Sequence, residues 1–174
     1  MGVEQGAIRD MSGLAESAPA CDATNLRVAL VTSRYHTEVT QALKDGAVNS
    51  FLTHGGNKNA CEHYACAGVW EIAPLTAALC NRSRSRPDAI IAIGCVITGQ
   101  TRHDQYISDA TIKTLAELSA GSLMPIGLAI LTCQTIAQAL DRAGGEFGNK
   151  GEEAMHAALE QVMTLRHISD RDGA

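Results

Sequence analysis

The sequence predicts a single α/β domain in which helices cover both faces of a parallel sheet. Two observations lead to this fold class: β-branched apolar runs alternate along the chain with helical apolar repeats, and short polar loops separate them. A chain of 174 residues is long enough for one hydrophobic core and too short for two domains of ordinary size. We therefore expect right-handed strand–helix–strand crossovers within one layered domain.

The first strand–helix unit begins with the apolar run LRVALVT. This run, residues 26–32, predicts a strand, and SRYH at residues 33–36 predicts the loop that follows it. Thr37 is the candidate N-cap of the next helix, and the Gly55-Gly56 pair supplies its stop. Apolar side chains recur every four residues on one face of this helix, at Val39, Leu43, Ala47 and Phe51.

A second unit repeats the pattern. Residues 60–66 (ACEHYAC) predict a strand, residues 67–74 (AGVWEIAP) a loop, and residues 75–80 (LTAALC) a helix. The polar stretch 81–88 (NRSRSRPD) closes this helix. The alternation that a parallel sheet requires is therefore present twice in the first half of the chain.

The third and fourth strands follow in the second half. Residues 89–96 are apolar throughout, as expected for a central strand covered on both faces, and residues 125–132 (PIGLAILT) predict the next strand. Helices are predicted at residues 136–142 and 152–167. Between the two strands a helical face runs toward Gly121, through Ile107, Ala110, Thr114, Leu115 and Leu118.

Four polar loops, SRYH, AGVWE, ITGQTRHD and LTCQT, follow the four predicted strands. In open parallel sheets the ligand binds outside the carboxyl ends of the strands. These loops carry Tyr35, Trp70, Glu71, Thr101 and His103, which supply aromatic rings, a carboxylate, a hydroxyl and an imidazole. We expect the functional site at this edge of the sheet.

Composition excludes several classes of partner. A net charge of -5 and a pI near 5.6 argue against nucleic acid, and the short basic run at residues 82–86 is typical of a solvated loop. No stretch approaches the roughly 18 apolar residues of a membrane span. Residues 1–25 lack the features of a secretory signal and predict a mobile tail, residues 169–174 a second tail, and residues 26–168 the domain. We expect a soluble, cytoplasmic protein.

The cysteines predict free thiols rather than disulfides, because no secretion signal accompanies them. A metal site at Cys61, His63 and Cys66 is disfavoured. A second ligand pair at suitable spacing is missing, and alternation along a strand directs His63 and Cys66 to opposite faces. We predict no metal. The six cysteines are Cys21, Cys61, Cys66, Cys80, Cys95 and Cys133.

Five motifs in register, VTSRYH, AGVWEIAP, IGCVITGQTRHDQYI, ILTCQTIAQALDRAG and GNKG, resemble the 6,7-dimethyl-8-ribityllumazine synthase family over residues 26–168. The resemblance implies a flavodoxin-like three-layer α/β/α fold with a four-stranded parallel sheet and an extra C-terminal helix. It also implies condensation of 5-amino-6-(D-ribitylamino)uracil with 3,4-dihydroxy-2-butanone 4-phosphate, with release of phosphate and water. No metal and no redox cofactor takes part in this reaction.

The resemblance also implies roles for individual residues. His103 occupies the place of the proton-transfer histidine, and Gly99, Gln100, Thr101 and Arg142 that of the phosphate-binding group. Binding of the uracil ring and the ribityl chain is implied for a further set. Its members are Tyr35, Val69, Trp70, Glu71, Cys95, Val96, Ile97, Leu128 and Lys150.

The chain departs from the common family pattern at several positions. Residues 67–69 read Ala-Gly-Val in place of Pro-Gly-Ala, and Pro74 stands one place late. His36 takes the usual Asn position and Thr98 that of an Arg or Lys. Arg102 and Asp104 flank His103, and Leu128 replaces a common Phe that a neighbouring subunit contributes. These changes bear on substrate affinity and turnover more than on the fold.

The resemblance further implies a homo-oligomer built of pentamers with active sites between subunits, either a pentamer, a decamer or an icosahedral shell. Two alternative functions stay open at this point. One is a catalytically weak or inactive flavin- or lumazine-binding shell protein of the same fold. The other is an archaeal-type riboflavin synthase, which uses two lumazine molecules.

Overall fold

A computed structural model describes residues 21–172 of the chain. Four parallel strands form the main sheet in the order β2-β1-β3-β4. They are β1 Val28–Ser33, β2 Cys61–Cys66, β3 Ala89–Ile97 and β4 Ile126–Cys133. The helices are α1 Thr37–Thr53, α2 Ile72–Cys80, α3 His103–Ser122, α4 Ile136–Asp141 and α5 Lys150–Asp172. The predicted strand–helix alternation and parallel sheet are confirmed.

Alternate residues of the strands enter two separate cores, one on each face of the sheet. Along β1, Val28 and Leu30 pack into a core with α1 and α5. Ala29 and Val31 pack into a second core with α2 and α3. This division follows from the two-residue period of a strand, and it explains why β3 and the first four residues of β1 are apolar. The three-layer α/β/α architecture is confirmed.

Helix α1 ends as predicted, but a different residue caps its start. Its N-cap is His36, whose backbone is left-handed (φ 54°), a conformation that His and Asn adopt more often than most residues. The expectation that Thr37 caps the helix is wrong, because Thr37 is already helical and its hydroxyl donates backwards to Arg34 O. The predicted stop at Gly55 and Gly56 is confirmed, since both amides donate to carbonyls of the last turn.

Helices α2 and α3 begin earlier than predicted. Helix α2 starts at Ile72 and places Pro74 in its first turn, where a missing N–H costs no hydrogen bond. Helix α3 starts at His103, four residues before Ile107. The residues before them, Glu71 and Arg102, make no side-chain capping bond, so neither start carries the usual sequence signal.

A small antiparallel hairpin, β5 Ala143–Gly145 and β6 Gly148–Asn149, was not predicted. Asn149 joins it to the helices on either side. Its Nδ2 donates to Ala42 O of α1 at 2.9 Å, and its Oδ1 accepts from Gly151 N–H of α5 at 2.9 Å. Helix α5 begins two residues before the predicted start at residue 152 and continues to Asp172.

Both predicted tails reach into ordered structure. The first 20 residues of the N-terminal tail lie outside the described residues, but Cys21 and Ala23 are buried, and Ala23 N–H donates to His54 O at 2.8 Å. The boundary at residue 168 falls inside α5 because that helix runs to Asp172. Between residues 21 and 172, no helix is long and apolar enough to cross a membrane.

Candidate functional site

A cavity of about 740 Å³ opens at the carboxyl ends of β1 and β3, below the loops that follow β1, β2 and β3. This is the edge of the sheet at which we expected the site. Ten of the fourteen predicted site residues line it. They are Tyr35, Val69, Trp70, Glu71, Cys95, Val96, Ile97, Gly99, Thr101 and His103.

Three aromatic rings surround the cavity, although the whole chain has only six aromatic residues. Tyr35 and Trp70 were predicted, and Tyr106 was not. All three are more than half exposed. Tyr106 follows His103 by three residues and therefore lies on the same side of α3. Had the helix been predicted to start at His103, this spacing would have identified Tyr106. The cavity can accept a flat ring.

The loop between β2 and α2 forms one wall. Glu71 Oε2 accepts the Gly68 N–H at 2.8 Å, so the carboxylate holds the loop that precedes it. Gly68 also lies against the Tyr35 ring, since an added Cβ would meet Tyr35 Cδ2 at 3.3 Å. Gly68 was not predicted as a site residue, nor were His36, Asp104 and Ile107, which also line the cavity.

The loop between β3 and α3 forms the opposite wall. Thr98 N–H donates to Cys133 O at 2.9 Å, which continues the β3–β4 pairing to the edge of the sheet. Gly99 is open to solvent, with no atom near a Cβ added there. Thr101 Oγ1 lies 3.4 Å from the His103 N–H. His103 is the first residue of the 20-residue helix α3, and the N-terminal end of a helix favours an anion.

Cys95 of β3 is a buried residue at the floor of the cavity. Burial, with a smaller contribution from Cys133, raises the pKa of Cys95 to about 11. The thiol is therefore neutral at physiological pH, and it contributes packing and weak hydrogen bonding rather than a nucleophile. The prediction of free thiols is confirmed at Cys61, Cys66, Cys80, Cys95 and Cys133.

Within residues 21–172, no group of three or more His, Cys, Asp or Glu side chains is arranged to hold a metal ion. At the CEHYAC strand, His63 is exposed on β2, and the Cys66 thiol instead donates to Gly68 O. The residues that line the cavity offer an imidazole, carboxylates, hydroxyls and backbone groups.

Comparison with known proteins decides the family. The model of the 6,7-dimethyl-8-ribityllumazine synthase family matches residues 25–166. The chain belongs to this family. A lumazine synthase of Anaeromyxobacter sp. is 38% identical over 84% of this chain and 89% of its own. Those of Chlorobium phaeobacteroides and Deinococcus deserti are 37% and 36% identical, each over 84% of this chain and over 94% and 92% of their own.

Four residues that the family pattern predicts do not line the cavity of the single chain: Gln100, Leu128, Arg142 and Lys150. Leu128 lies on the edge strand β4, is 47% exposed, and lines a separate apolar groove between α3 and α5. Arg142 Nη1 donates to Gln138 O at 3.0 Å. Lys150 Nζ contacts a carboxylate of Glu153 at 2.6 Å.

Proposed function

We propose that the protein is a 6,7-dimethyl-8-ribityllumazine synthase. It condenses 5-amino-6-(D-ribitylamino)uracil with 3,4-dihydroxy-2-butanone 4-phosphate and releases phosphate and water, the penultimate step of riboflavin biosynthesis. The observation that carries this proposal is the cavity, which gathers the aromatic rings, Glu71, Thr101 and His103 at one sheet edge in a chain of this family. We place the reaction in the cytoplasm, with no metal and no redox cofactor.

His103 transfers protons in this proposal. The uracil amino group attacks the ketone, and a first water leaves to give an imine. Loss of the neighbouring C–H proton then expels phosphate and leaves an enol, which becomes a ketone. The ribitylamino nitrogen attacks this ketone and closes the ring as a second water leaves. Each step moves protons on or off nitrogen, oxygen or carbon. An imidazole can both donate and accept a proton near neutral pH. His103 lines the cavity and so reaches these atoms.

The uracil ring lies against Tyr35 in this proposal, and the backbone of residues 95–97 at the end of β3 binds its polar edge. Trp70 and Glu71 contact the ribityl chain. The Gly68 N–H occupies only Oε2 of Glu71, so Oε1 is available to accept a hydroxyl.

The phosphate binds at residues 99–101 and the start of α3 in this proposal. Gly99 leaves the approach open, and the Thr101 hydroxyl lies beside the His103 N–H. Gln100 is exposed next to them. These groups are neutral dipoles, so a cation such as Arg142 is also needed to balance the charge of the phosphate. The single chain does not bring Arg142 to the cavity.

A homo-oligomer built of pentamers resolves this gap in our proposal. Leu128, Arg142 and Lys150 lie on β4 and the segments that follow it, away from the cavity of their own chain. A head-to-tail interface in a ring brings one surface of a chain onto a different surface of its neighbour. The neighbouring subunit would then supply these three side chains. Native mass spectrometry distinguishes a pentamer from a decamer and from a closed shell.

The test of the function is a direct assay with both substrates, followed by the absorbance of the lumazine product. We expect product well above the uncatalysed background. We expect the His103→Ala variant to fall by about 10²-fold or more in kcat, the usual contribution of a general acid–base residue. His167→Ala, an exposed histidine of α5, is the matched control and should retain wild-type turnover.

Two results would point to the alternatives. Conversion of lumazine alone to riboflavin would identify a riboflavin synthase. Tight riboflavin binding without turnover of the two substrates would identify a flavin-binding protein of the same fold. Equal activity of the wild type and His103→Ala would show that His103 has no role in the reaction.

A further inference from the structure

The peptide groups of Gly68, in the loop between β2 and α2, are held by side chains on both sides. The Gly68 N–H donates to Glu71 Oε2 at 2.8 Å. The Gly68 carbonyl accepts from the thiol of Cys66, with Sγ 3.3 Å from the oxygen. Cys66 is the last residue of β2 and Glu71 the last before α2. Side-chain hydrogen bonds thus hold both the N–H and the carbonyl of Gly68 in the middle of the loop.

Neighbouring carbonyls of this loop have backbone donors. Those of Cys66 and Ala67 accept from the Arg34 N–H, at 3.0 and 3.3 Å, and that of Val69 accepts from the next helix. Among residues 21–172, the donor that reaches Gly68 O is the Cys66 thiol. Gly68 is buried, and a buried carbonyl without a donor is costly. The thiol therefore completes the hydrogen bonding of the loop.

The thiol keeps its proton at physiological pH. Burial and, to a smaller extent, the Glu71 carboxylate raise the pKa of Cys66 to about 11, while Arg34 acts to lower it. The sulfur also lies 3.7 Å from Thr32 O, the longer of its two contacts. The Cys66 side chain consequently lies between the end of β1 and the loop, where it acts as a hydrogen-bond donor and not as a nucleophile.

The position of Gly68 affects the cavity directly. A Cβ added to Gly68 would lie 3.3 Å from both Tyr35 Cδ2 and Glu71 Oε2, which shows how closely both groups press on it. The next two residues, Val69 and Trp70, line the cavity. A shift of the Gly68 peptide therefore moves Val69 and Trp70 and changes the contacts of Gly68 with Tyr35 and Glu71.

We infer that Cys66 is a positioning residue of the active site, because its thiol fixes the Gly68 carbonyl and thereby the wall that carries Trp70 and Glu71 and lies against the Tyr35 ring. The inference rests on the proposed function for its catalytic consequence. Cys66 itself does not line the cavity and acts through Gly68.

Two substitutions separate the hydrogen bond from the volume of the side chain. Cys66→Val fills the space but has no donor, whereas Cys66→Ser keeps a donor. We expect Cys66→Val to raise the KM for the ribitylaminouracil about five- to tenfold, the factor that one neutral hydrogen bond is worth. Its kcat should change less than the KM. Cys66→Ser should restore the KM to within about twofold.

Cys61→Val is the matched control. Cys61 is also a buried cysteine of β2 whose pKa burial raises to about 11, but it stands at the other end of the strand. The Cys61→Val substitution likewise removes a thiol from the core, but at a position that does not contact the loop between β2 and α2. If Cys61→Val raised the KM as much as Cys66→Val, or if Cys66→Ser were as impaired as Cys66→Val, the positioning role would be overturned.

A second readout does not depend on turnover. Trp70 is the sole tryptophan of the chain and stands two residues after Gly68, so its fluorescence reports on the loop. We expect a shifted emission maximum in Cys66→Val and a wild-type spectrum in Cys66→Ser and Cys61→Val. Identical spectra in all three variants would overturn the inference. A wild type that fails to make lumazine would overturn the proposed function, while the spectra would still decide the role of Cys66.

Discussion

Nδ1 of His156 lies 3.1 Å from Nε2 of His54, and this contact joins helix α5 to the end of helix α1. The other ring nitrogen of His54 lies 2.7 Å from Ser50 O, which it can meet only as an N–H donor. Nε2 of His54 is then the acceptor for His156 when His54 is neutral. The two helices therefore share a directed side-chain hydrogen bond in addition to their apolar packing.

A double-mutant cycle measures this contact. Urea unfolding of His54→Ala, His156→Ala and the double variant should give a coupling of about 0.5–1 kcal/mol, as expected for one net hydrogen bond. A coupling near zero would show that the rings merely lie side by side.

The Glu62 carboxylate on β2 predicts a loss of stability in acid. Hydrogen bonds from Tyr64 and then from Arg82 lower the pKa of Glu62 to about 2, with a smaller contribution from Arg27. A carboxyl whose pKa is lower in the folded state stabilises above its unfolded value, near 4.5. This stabilisation decreases as the pH falls from about 4.5 toward 2.

Unfolding by urea at several pH values between 7 and 3 tests this prediction. Glu62→Gln should be less stable than the wild type by about 1 kcal/mol at pH 7, since the network is partly exposed. The difference should shrink as the pH falls. Glu117→Gln, which removes an exposed partner of Lys113 at 3.9 Å, is the control and should show little difference at any pH. A constant difference for Glu62→Gln would contradict the assignment.

Gly94 in β3 supports the floor of the cavity. A Cβ there would lie 2.6 Å from Val69 Cγ2 and 3.2 Å from Ile72 Cδ1, so Gly94→Ala must displace the wall. We expect a loss of about 1–3 kcal/mol in unfolding free energy and a raised KM. Gly121→Ala, in helix α3 with open space around the added methyl group, should instead stabilise by about 0.5–1 kcal/mol. Equal effects of the two substitutions would contradict this account.

Mixing of inactive variants tests whether an active site is shared between chains. His103→Ala and Arg142→Ala should each be nearly inactive alone. If His103 and Arg142 of one site come from different chains, random co-assembly of equal amounts restores about a quarter of the sites. Lumazine formation after joint unfolding and refolding measures the recovery. No recovery would mean that both residues of a site belong to the same chain.

The sequence predicted the sheet more completely than the helix starts. Strands β1 and β3 are buried on both faces, so their apolar runs are unambiguous. The starts of α2 and α3 were missed because Glu71 and Arg102 precede them without a capping bond. The hairpin of residues 143–149 was missed because strands of three and two residues are too short to show alternation.

The site was predictable as far as it follows from strand order. Tyr35, Trp70 and His103 each come shortly after a strand that ends at the same sheet edge, so their convergence follows from topology. Motif spacing also singled out Arg142 and Lys150, yet spacing along the chain carries no information on whether two residues meet within one chain or between two. The role of Cys66 depends on a loop conformation that no sequence pattern specifies.

Asn149 hydrogen-bonds to both α1 and α5 and thereby holds the segment that joins Arg142 to Lys150. Gly46 leaves room for the Asn149 side chain, since a Cβ there would lie 2.4 Å from it. Hydrogen bonds therefore hold the segment between Arg142 and Lys150 in one conformation, and it is not a free loop. In the proposed ring this segment is preorganised for contact with a neighbour, so its ordering on association costs little conformational entropy. The rigidity of one chain would then contribute to the affinity of the subunits for each other.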